Sequence, residues 1–406
     1  MSRSQTIALL AAAPLLSVPS LAIASCASTD VADARQEDAS TIIQPSDSGS
    51  SDADSGDAGL PCDPADRSCV SNVLSCDEAD FCPVPNALDR RHSLVAVWGS
   101  SASDVWAVGS GGSILHNDGS KWTAIPSTTM ETLHGVWGTG PGEVWAVGSA
   151  RTILRGPGPS MGQPVWTNEA PFITGELRPP GRLYALWGTS SADVRTGGEP
   201  YGHAIDDEGT VIPGNHLHRA GDVWASLEGF DGRFAQGTIR SIWGSSPEDV
   251  WISIDNSIEE PWARGTLLHG VAPAAGEPLA WQVVDSQSAV VLESLWGSSA
   301  ADVWAVGYGG TIRRYTAGAA KWSVVDGVPT HATLHRVWGT GPKDIWAVGD
   351  AGTILHFDGT TWTEATVAFP LGKKPDLSGV WCSGPNDVWV VGDGYTLHFT
   401  GKKAAQ

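Results

Sequence analysis

The sequence predicts an all-β protein whose main part is a single β-propeller of seven four-stranded blades. A tryptophan-centred phrase recurs seven times, and its first tryptophans are separated by 39, 50, 56, 53, 42 and 43 residues. Repeat periods of this size are typical of propellers and solenoids. Gly (49), Pro (26) and Trp (20) are abundant while charged residues make up 17%, which favours short strands and turns over long helices. A disordered tether and a small disulfide-stapled segment are predicted to precede the propeller.

The four strands of a blade can be read within one copy of the repeat. Around residues 334–366 the runs LHRVWG, DIWAVG, GTILHF and TTWTEA are separated by the turn-forming GTGPK, DA and DG. Each run is too short for a helix and suits an antiparallel strand of a propeller blade. Because such strands alternate in direction, the second-to-third loops and the connections between blades are predicted to emerge on one face.

Residues that recur in register are interpreted as structural. Nineteen of the twenty tryptophans fall at repeated positions in first, second and fourth strands, which leaves only Trp262. An acidic residue recurs in every first turn, where it could accept backbone N–H bonds; an acidic metal ring is the alternative interpretation. These residues are Asp104, Glu143, Asp193, Asp249, Asp302, Asp344 and Asp387. His116, His218, His269, His356 and His398 share a third-strand position, and His134 and His335 share a first-strand position.

The last copy of the repeat stops before a fourth strand. Propellers commonly close with a strand from the other terminus, so we expect a segment upstream of Leu94 to complete blade seven, either Val84 to Leu88 or Val70 to Leu74. Without such a strand, blade seven would present an exposed edge.

The N-terminus predicts export. Arg3 precedes an apolar run interrupted by prolines, and Ile23-Ala24-Ser25-Cys26 closes it, a pattern typical of a signal peptide over residues 1–25. This end resembles the bacterial lipobox, which implies cleavage before Cys26 and diacylglyceryl attachment to its sulfur. The alternative is an ordinary secretory signal with an incidental cysteine. The expected location is the outer membrane or cell surface of a bacterium, with the lipid as the only membrane contact.

Two further segments lie between the signal and the propeller. Residues 26–61 are mostly Ser, Asp, Ala and Gly without an aromatic residue, so they are predicted to be a disordered tether. Residues 62–90 contain Cys62, Cys69, Cys76 and Cys82, which predict two disulfides of open connectivity rather than zinc ligands. The propeller is assigned to residues 91–401 and a tail to 402–406. Cys382 is expected to be a buried, inert thiol.

The charge distribution disfavours nucleic acid as a partner. The formal charge is −21, and residues 27–90 contain fourteen Asp or Glu against three Arg. Such a surface would repel phosphate backbones.

Two resemblances follow from the repeated phrases. HNDGSKW at 116–122 and HFDGTTW at 356–362 resemble the Asp-box turn of bacterial-neuraminidase-repeat propellers, although the usual leading Ser is absent. The whole copy is similar to tectonin-type repeats and to tryptophan-rich repeats of bacterial surface lipoproteins. These resemblances imply a propeller that binds glycans or proteins, but propellers host many functions.

Departures from the repeat predict a binding patch. Arg195 replaces a second-strand tryptophan, and long loops follow in copies three and four on the face of the second-to-third loops. Irregular loops on a rigid scaffold are where binding sites are usually built; neutral loop drift is the alternative. The candidate ligand-binding residues are Tyr201, His203, Asp206, Asp207, Glu208, Phe230, Arg233, Glu259, Glu260, Trp262 and Arg264.

The predicted function is a monomeric, non-catalytic binding or scaffold module for a glycan or protein at the cell envelope. No cofactor is expected, although the carboxylates at 206–208 and 259–260 could hold Ca²⁺. The alternative is a sialidase-like glycoside hydrolase that uses Tyr201 with Glu199 and the arginines Arg178, Arg233 and Arg264. The sequence contains no nucleophile elbow, zinc motif or phosphate loop, which favours the binding module.

Overall fold

A computed structural model describes residues 66–89, 91–156, 165–170, 181–200, 216–226, 237–256 and 265–401. Within these residues the strands form seven four-stranded antiparallel sheets and one two-stranded sheet, so the seven-bladed propeller is confirmed. None of the helices among them is long and apolar enough to span a membrane.

Six blades take all four strands from one continuous copy of the repeat. Two short strands, β1 (Cys69–Val70) and β2 (Cys82–Pro83), precede them. Blade one contains β3 (Leu94–Ser101), β4 (Asp104–Gly109), β5 (Ile114–Asn117) and β6 (Trp122–Ala124); blade two β7 (Leu133–Gly140), β8 (Glu143–Gly148), β9 (Ile153–Gly156) and β10 (Thr167–Asn168); blade three β11 (Leu183–Ser190), β12 (Asp193–Gly198), β13 (His216–Ala220) and β14 (Val223–Ser226).

The second half of the ring follows the same order. Blade four contains β15 (Thr238–Ser246), β16 (Asp249–Asp255), β17 (Thr266–Val271) and β18 (Ala280–Val284); blade five β19 (Leu292–Ser299), β20 (Asp302–Gly307), β21 (Thr311–Thr316) and β22 (Ser323–Val324); blade six β23 (Leu334–Gly341), β24 (Asp344–Gly349), β25 (Ile354–Phe357) and β26 (Trp362–Glu364). After β27 (Gly372–Lys373), blade seven contains β28 (Leu377–Gly384), β29 (Asp387–Gly392) and β30 (Tyr395–Phe399), and β2 supplies its fourth strand.

The antiparallel order defines two faces of the ring. The first-to-second and third-to-fourth turns lie on one face, here called the turn face. The second-to-third loops and the connections between blades lie on the opposite loop face. First strands are innermost, because those of all seven blades line one narrow central channel.

The Trp-Gly pair of the first strand is a packing unit between neighbouring blades. A Cβ added to Gly138 would lie 2.7 Å from Cη2 of Trp98 in the preceding blade, and one added to Gly244 would lie 2.6 Å from Cη2 of Trp187. In the six blades with glycine at this position, the indole edge therefore occupies the space that a side chain would need. In blade seven Cys382 stands at this position; it is buried as expected, and burial raises the pKa of its thiol.

Second-strand tryptophans contact fourth-strand tryptophans of the next blade. Trp106 meets Trp166 edge-on at 5.6 Å between ring centroids, and Trp251 meets Trp322 at 5.2 Å. Of the nineteen repeat tryptophans, fourteen are buried and five are half-buried. The interpretation of these residues as core is confirmed. Neighbouring blades pack against one another through aromatic pairs. The edge-on geometry of these pairs contributes stability beyond the burial of their apolar area.

Closure uses a strand from the N-terminal side, as expected, but not the predicted residues. The pairing strand is Cys82–Pro83 rather than 84–88, and only Val84 of that segment continues the ladder, through its N–H to the carbonyl of Thr396 at 2.8 Å. Val70 pairs with Gly372 instead of blade seven. The difference arises because Phe81 is fully buried against Trp346, 5.4 Å between centroids, where a fourth-strand tryptophan would otherwise lie.

The disulfide prediction is supported where the structure describes it. Cys76 and Cys82 form one disulfide, and Cys69 is also disulfide-bonded. Cys62 lies outside the described residues. The Cys76–Cys82 bond links the closing strand β2 to the segment before it.

Candidate functional site

The first-turn carboxylates form a ring on the turn face, here called the carboxylate ring. In blade four, Asp249 accepts hydrogen bonds from Ser245 Oγ at 3.0 Å and from His269 Nε2 at 2.7 Å. His269 in turn stacks on Trp251 with 3.9 Å between ring centroids. The same hydroxyl, carboxylate and third-strand cation or imidazole recur in all seven blades, with Arg155 and Arg314 replacing the histidine in blades two and five.

These carboxylates are engaged by side chains, not by the backbone N–H groups that we predicted. Burial raises the pKa of the Asp249 carboxyl group, but the hydrogen bonds from His269 and Ser245 outweigh burial and leave the pKa below its usual value. The pKa values of Asp104, Asp193, Asp344 and Asp387 are lowered by the same balance. Among the described residues, no three His, Cys, Asp or Glu side chains are placed to hold a metal ion. The structural interpretation rests on the side-chain partners that engage each carboxylate within its own blade.

A second ring lies at the opposite, loop-face end of the central channel. It consists of the residue that follows the buried Leu or Ile near the start of each first strand. These seven residues, with Arg336, line a cavity of about 190 Å³. We call them the axial ring: Val95, His134, Tyr184, Arg240, Glu293, His335 and Ser378.

The charged side chains of the axial ring are held by partners on their own and neighbouring blades. Arg240 Nη2 donates to Asp255 at 2.7 Å, and its Nη1 lies 4.0 Å from Glu293. The Arg240 guanidinium also lies 5.4 Å from the centroid of the Tyr184 ring. Burial by itself would lower the pKa of Arg240, but Glu293 and Asp255 outweigh it and raise that pKa. Arg240 is therefore a fixed cation.

The remaining polar members of the ring also have fixed positions. Tyr184 Oη donates to Glu199 Oε1 at 3.0 Å, and His335 Nε2 lies 2.6 Å from Asp350 Oδ1. His134 Nε2 lies 3.0 Å from Ser149 Oγ. Burial, reinforced by nearby Arg182, lowers the pKa of His134 to about 4, so this imidazole is neutral at pH 7. The cavity thus presents hydrogen-bond donors and acceptors on rigid strands.

Arg336 lies one step deeper along the axis. The residue at this position is Ala, Gly or Ser in the other six blades: Ala96, Gly135, Ala185, Ser241, Ser294 and Gly379. Arg336 lines both the axial cavity and the narrower channel of about 70 Å³ beneath it. Burial lowers the pKa of its guanidinium despite the opposing charge of Glu293. One long cation therefore occupies a position where the ring otherwise has only small side chains.

The candidate residues predicted from sequence lie outside the described residues, in 201–215, 227–236 and 257–264. Two described residues that precede these segments in sequence contact the axial ring. Glu199, just before residue 201, accepts the hydrogen bond of Tyr184, and Asp255, just before residue 257, binds Arg240. Sequence reasoning missed the axial ring itself. A signal for the axial ring was present in the sequence: the residue type at one first-strand position varies from copy to copy, whereas the residues around it repeat.

Arg195, the other departure noted in the sequence, has a local structural role. It stands in β12 opposite Trp187 and is buried. Its Nη2 donates to the carbonyl of Pro247 at 2.9 Å and lies 3.2 Å from Asp193. The guanidinium thus links blade three to blade four, where other blades use an indole.

Comparisons with known proteins agree on the fold and leave the family open. No protein-family model matches the chain, and no characterised protein matches its sequence. Among solved structures, YCF48 from Cyanidioschyzon merolae is 16% identical with a TM-score of 0.58, covering 80% of this chain and 100% of that one. YCF48 bound to D1 peptide is 14% identical, with a TM-score of 0.57 and coverage of 82% and 100%. A streptogramin B lyase is 15% identical, with a TM-score of 0.53 and coverage of 77% and 95%.

Proposed function

We propose that this propeller is a non-catalytic binding module that takes an extended segment of a partner protein into the axial cavity. The observation that carries the proposal is the contrast between repeated and varied positions. The carboxylate ring repeats one arrangement seven times, whereas the axial ring has six different residue types at seven equivalent positions. Concave sites with a few fixed polar groups are where ligands usually bind.

The size of the cavity favours a chain segment over a folded surface. A volume of about 190 Å³ is more than ten times the roughly 10–15 Å³ that one water molecule needs in a cavity, so it admits a side chain or a chain end. The structure of YCF48 bound to D1 peptide shows that a propeller similar to this one in fold can bind a peptide. We extend peptide binding to this chain as a proposal.

A peptide library displayed on phage tests the proposal, with a glycan array in parallel. We expect peptides retained by the wild-type protein to be lost from the variants His134→Ser and Glu293→Ser, because serine already occupies the axial ring in blade seven. Val271→Ser is the matched control, since this exposed residue lies on the turn face. Peptide binding that survives both axial variants, or retention of glycans alone, would contradict the proposal.

A sialidase-like hydrolase is the second candidate, because the axial cavity brings together groups that such chemistry uses. Tyr184 donates to Glu199, and Arg240 and Arg336 lie at the same cavity. Against it, burial raises the pKa of Tyr184 and so disfavours the phenolate. Hydrolysis of a fluorogenic aryl sialoside by the wild type and not by Tyr184→Phe would establish the hydrolase; the binding module predicts no turnover.

We further propose that the protein is an exported lipoprotein anchored at the bacterial envelope through Cys26. The apolar run and the Ile-Ala-Ser-Cys ending support this proposal. Metabolic labelling with an alkyne analogue of palmitate should mark the wild type and leave Cys26→Ser unlabelled. Equal labelling of both chains would remove the lipid anchor, and the binding proposal would be unaffected.

A further inference from the structure

Arg336 differs from the other arginines that approach the channel or the blade interfaces. Arg240, Arg155 and Arg314 each have a carboxylate within 2.7 Å. Among the described residues, no acceptor lies within hydrogen-bonding or ion-pairing distance of the Arg336 guanidinium, and Glu293 acts on it only at longer range. Arg336 therefore lines the cavity with its hydrogen-bonding capacity unused.

Such a guanidinium is poised for an anionic acceptor. Arg336 is half-buried, and a cation that is partly shielded from water interacts more strongly with an anionic acceptor than a fully exposed one does. A carboxylate restores two parallel N–H···O bonds in one step, because its two oxygens match the planar fork of the guanidinium. The same cavity contains a second cation, Arg240, which offsets the charge of Glu293 4.0 Å away.

The shape of the channel limits what can reach Arg336. Arg336 lines both the cavity of about 190 Å³ and the narrower channel of about 70 Å³. Small residues, among them Ala96, Gly135 and Ala185, line this channel beside Arg336, and a carboxylate at the tip of a chain is small enough to be a candidate for it.

We propose that Arg336 anchors a carboxylate of the partner polypeptide at the base of the axial cavity. This inference rests on the proposed function and specifies its chemistry. The carboxylate can be the C-terminal group of the partner or the side chain of an Asp or Glu, and the test separates these two sources.

Four short peptides serve as probes: acetyl-Ala-Ala-Ala with a free carboxylate, its carboxamide, acetyl-Ala-Asp-Ala-amide and acetyl-Ala-Asn-Ala-amide. Binding is measured by saturation-transfer NMR and calorimetry. We expect at least one acid to bind at least about tenfold more tightly than its uncharged counterpart. The acid that binds identifies the source of the carboxylate. The inference would be overturned if each acid bound no more tightly than its uncharged counterpart. It would also be overturned if neither acid bound.

Variants at Arg336 show whether this residue holds the carboxylate. Arg336→Ser should weaken binding of the acid probe by about tenfold or more. Arg336→Lys should weaken it less, since lysine keeps the positive charge but not the planar guanidinium that donates two parallel hydrogen bonds. The serine variant should fold, because blades four and five have Ser241 and Ser294 at this position, and its melting temperature checks this. Arg314→His is the matched control, since five blades have histidine there; it should bind the acid like the wild type. Unchanged binding in Arg336→Ser would overturn the inference.

The outcomes distinguish this inference from the proposed function. Library peptides that need His134 and Glu293 but bind equally well as acids and amides would leave the binding module intact and remove the carboxylate anchor. Acid probes that bind through Arg336, while library peptides bind the His134→Ser and Glu293→Ser variants as well as the wild type, would keep the carboxylate site and contradict the proposed role of the axial ring. Binding of N-acetylneuraminic acid, but of neither peptide acid, would assign Arg336 to a sugar carboxylate and overturn the polypeptide source.

Discussion

The two rings of seven residues differ in one respect that separates structure from function. On the turn face, every blade supplies a hydroxyl, a carboxylate and a third-strand His or Arg in nearly the same geometry. On the loop face, the axial ring takes valine, histidine, tyrosine, arginine, glutamate and serine at equivalent positions. Both rings lie on equally regular strands, so the fold does not require the axial variety.

The difference shows that repetition within a chain is itself informative. A residue that recurs in every blade answers a packing or hydrogen-bonding need that every blade shares. A position whose residue type varies while its neighbours repeat does not serve such a shared need, so its residues can be selected for contact with a ligand. The following predictions test the two halves of this comparison, beginning with the largest expected effect.

Phe81, the aromatic residue supplied from outside the repeats, should be as important for stability as a repeated tryptophan. Phe81→Ala removes a fully buried ring that packs on Trp346, so we expect a loss of about 3–5 kcal/mol in the free energy of unfolding. Urea denaturation followed by tryptophan fluorescence measures it. Val73→Ala, at a residue of the same segment that is 49% exposed, should change little. Similar losses in both variants would mean that closure does not depend on Phe81.

The glycines that contact an indole edge of the preceding blade should tolerate a side chain poorly. A Cβ at Gly244 would lie 2.6 Å from Trp187 and 2.7 Å from the carbonyl of Asp249, so Gly244→Ala should cost about 1–3 kcal/mol. Nothing lies within 4 Å of a Cβ built on Gly140, and Gly140→Ala should be nearly neutral. Thermal denaturation of the two variants gives the comparison. Equal melting temperatures would contradict the packing role of the Trp-Gly pair.

The carboxylate ring should make the protein sensitive to acid. The pKa of Asp249 is lower in the folded protein than its ordinary value. Its contribution is therefore complete above the unfolded pKa of about 3.9 and lost as pH falls below it. We expect Asp249→Asn to cost about 1–3 kcal/mol at pH 7. The difference from the wild type should shrink towards pH 2 in urea titrations, and a constant difference would speak against ionisation as the cause.

The axial ring should contribute least to stability. At pH 7, His134→Ser and Ser378→Val should each change the free energy of unfolding by about 0.5 kcal/mol or less. The pKa of His134 is lowered from 6.5 to about 4 on folding, so the wild type loses stability as pH falls through this window because protonation favours the unfolded chain. His134→Ser should flatten that decline, whereas Ser378→Val should preserve it. Large losses at pH 7 in both variants would mean that the axial ring is structural.

Much of the fold could be predicted because its signals are local and repeated. The turn residues and the apolar runs of one copy define four strands, and seven copies with similar spacing define the ring. The role of Phe81 could not be predicted in the same way, because it contacts Trp346 from a segment 265 residues away in sequence. No local pattern marks which N-terminal residue will supply the missing aromatic contact.

The site residues predicted from the insertions in copies three and four lie outside the described residues, so that prediction stays a prediction. The described residues Glu199 and Asp255, which precede two of these insertions, bind Tyr184 and Arg240 of the axial ring. The ring itself escaped prediction because each of its members looks ordinary within its own copy. Their meeting depends on closure, which brings together side chains from seven first strands spread over residues 95–378.

The sequence by itself determined the number of blades, the pairing of strands within each blade and the burial of the repeated tryptophans, because these follow from short-range patterns that any copy contains. The tertiary structure decided which strand closes the ring, which varied residues face the axis and that Arg336 stands alone among small neighbours. Those outcomes depend on distances between segments far apart in sequence, which only the packed ring fixes.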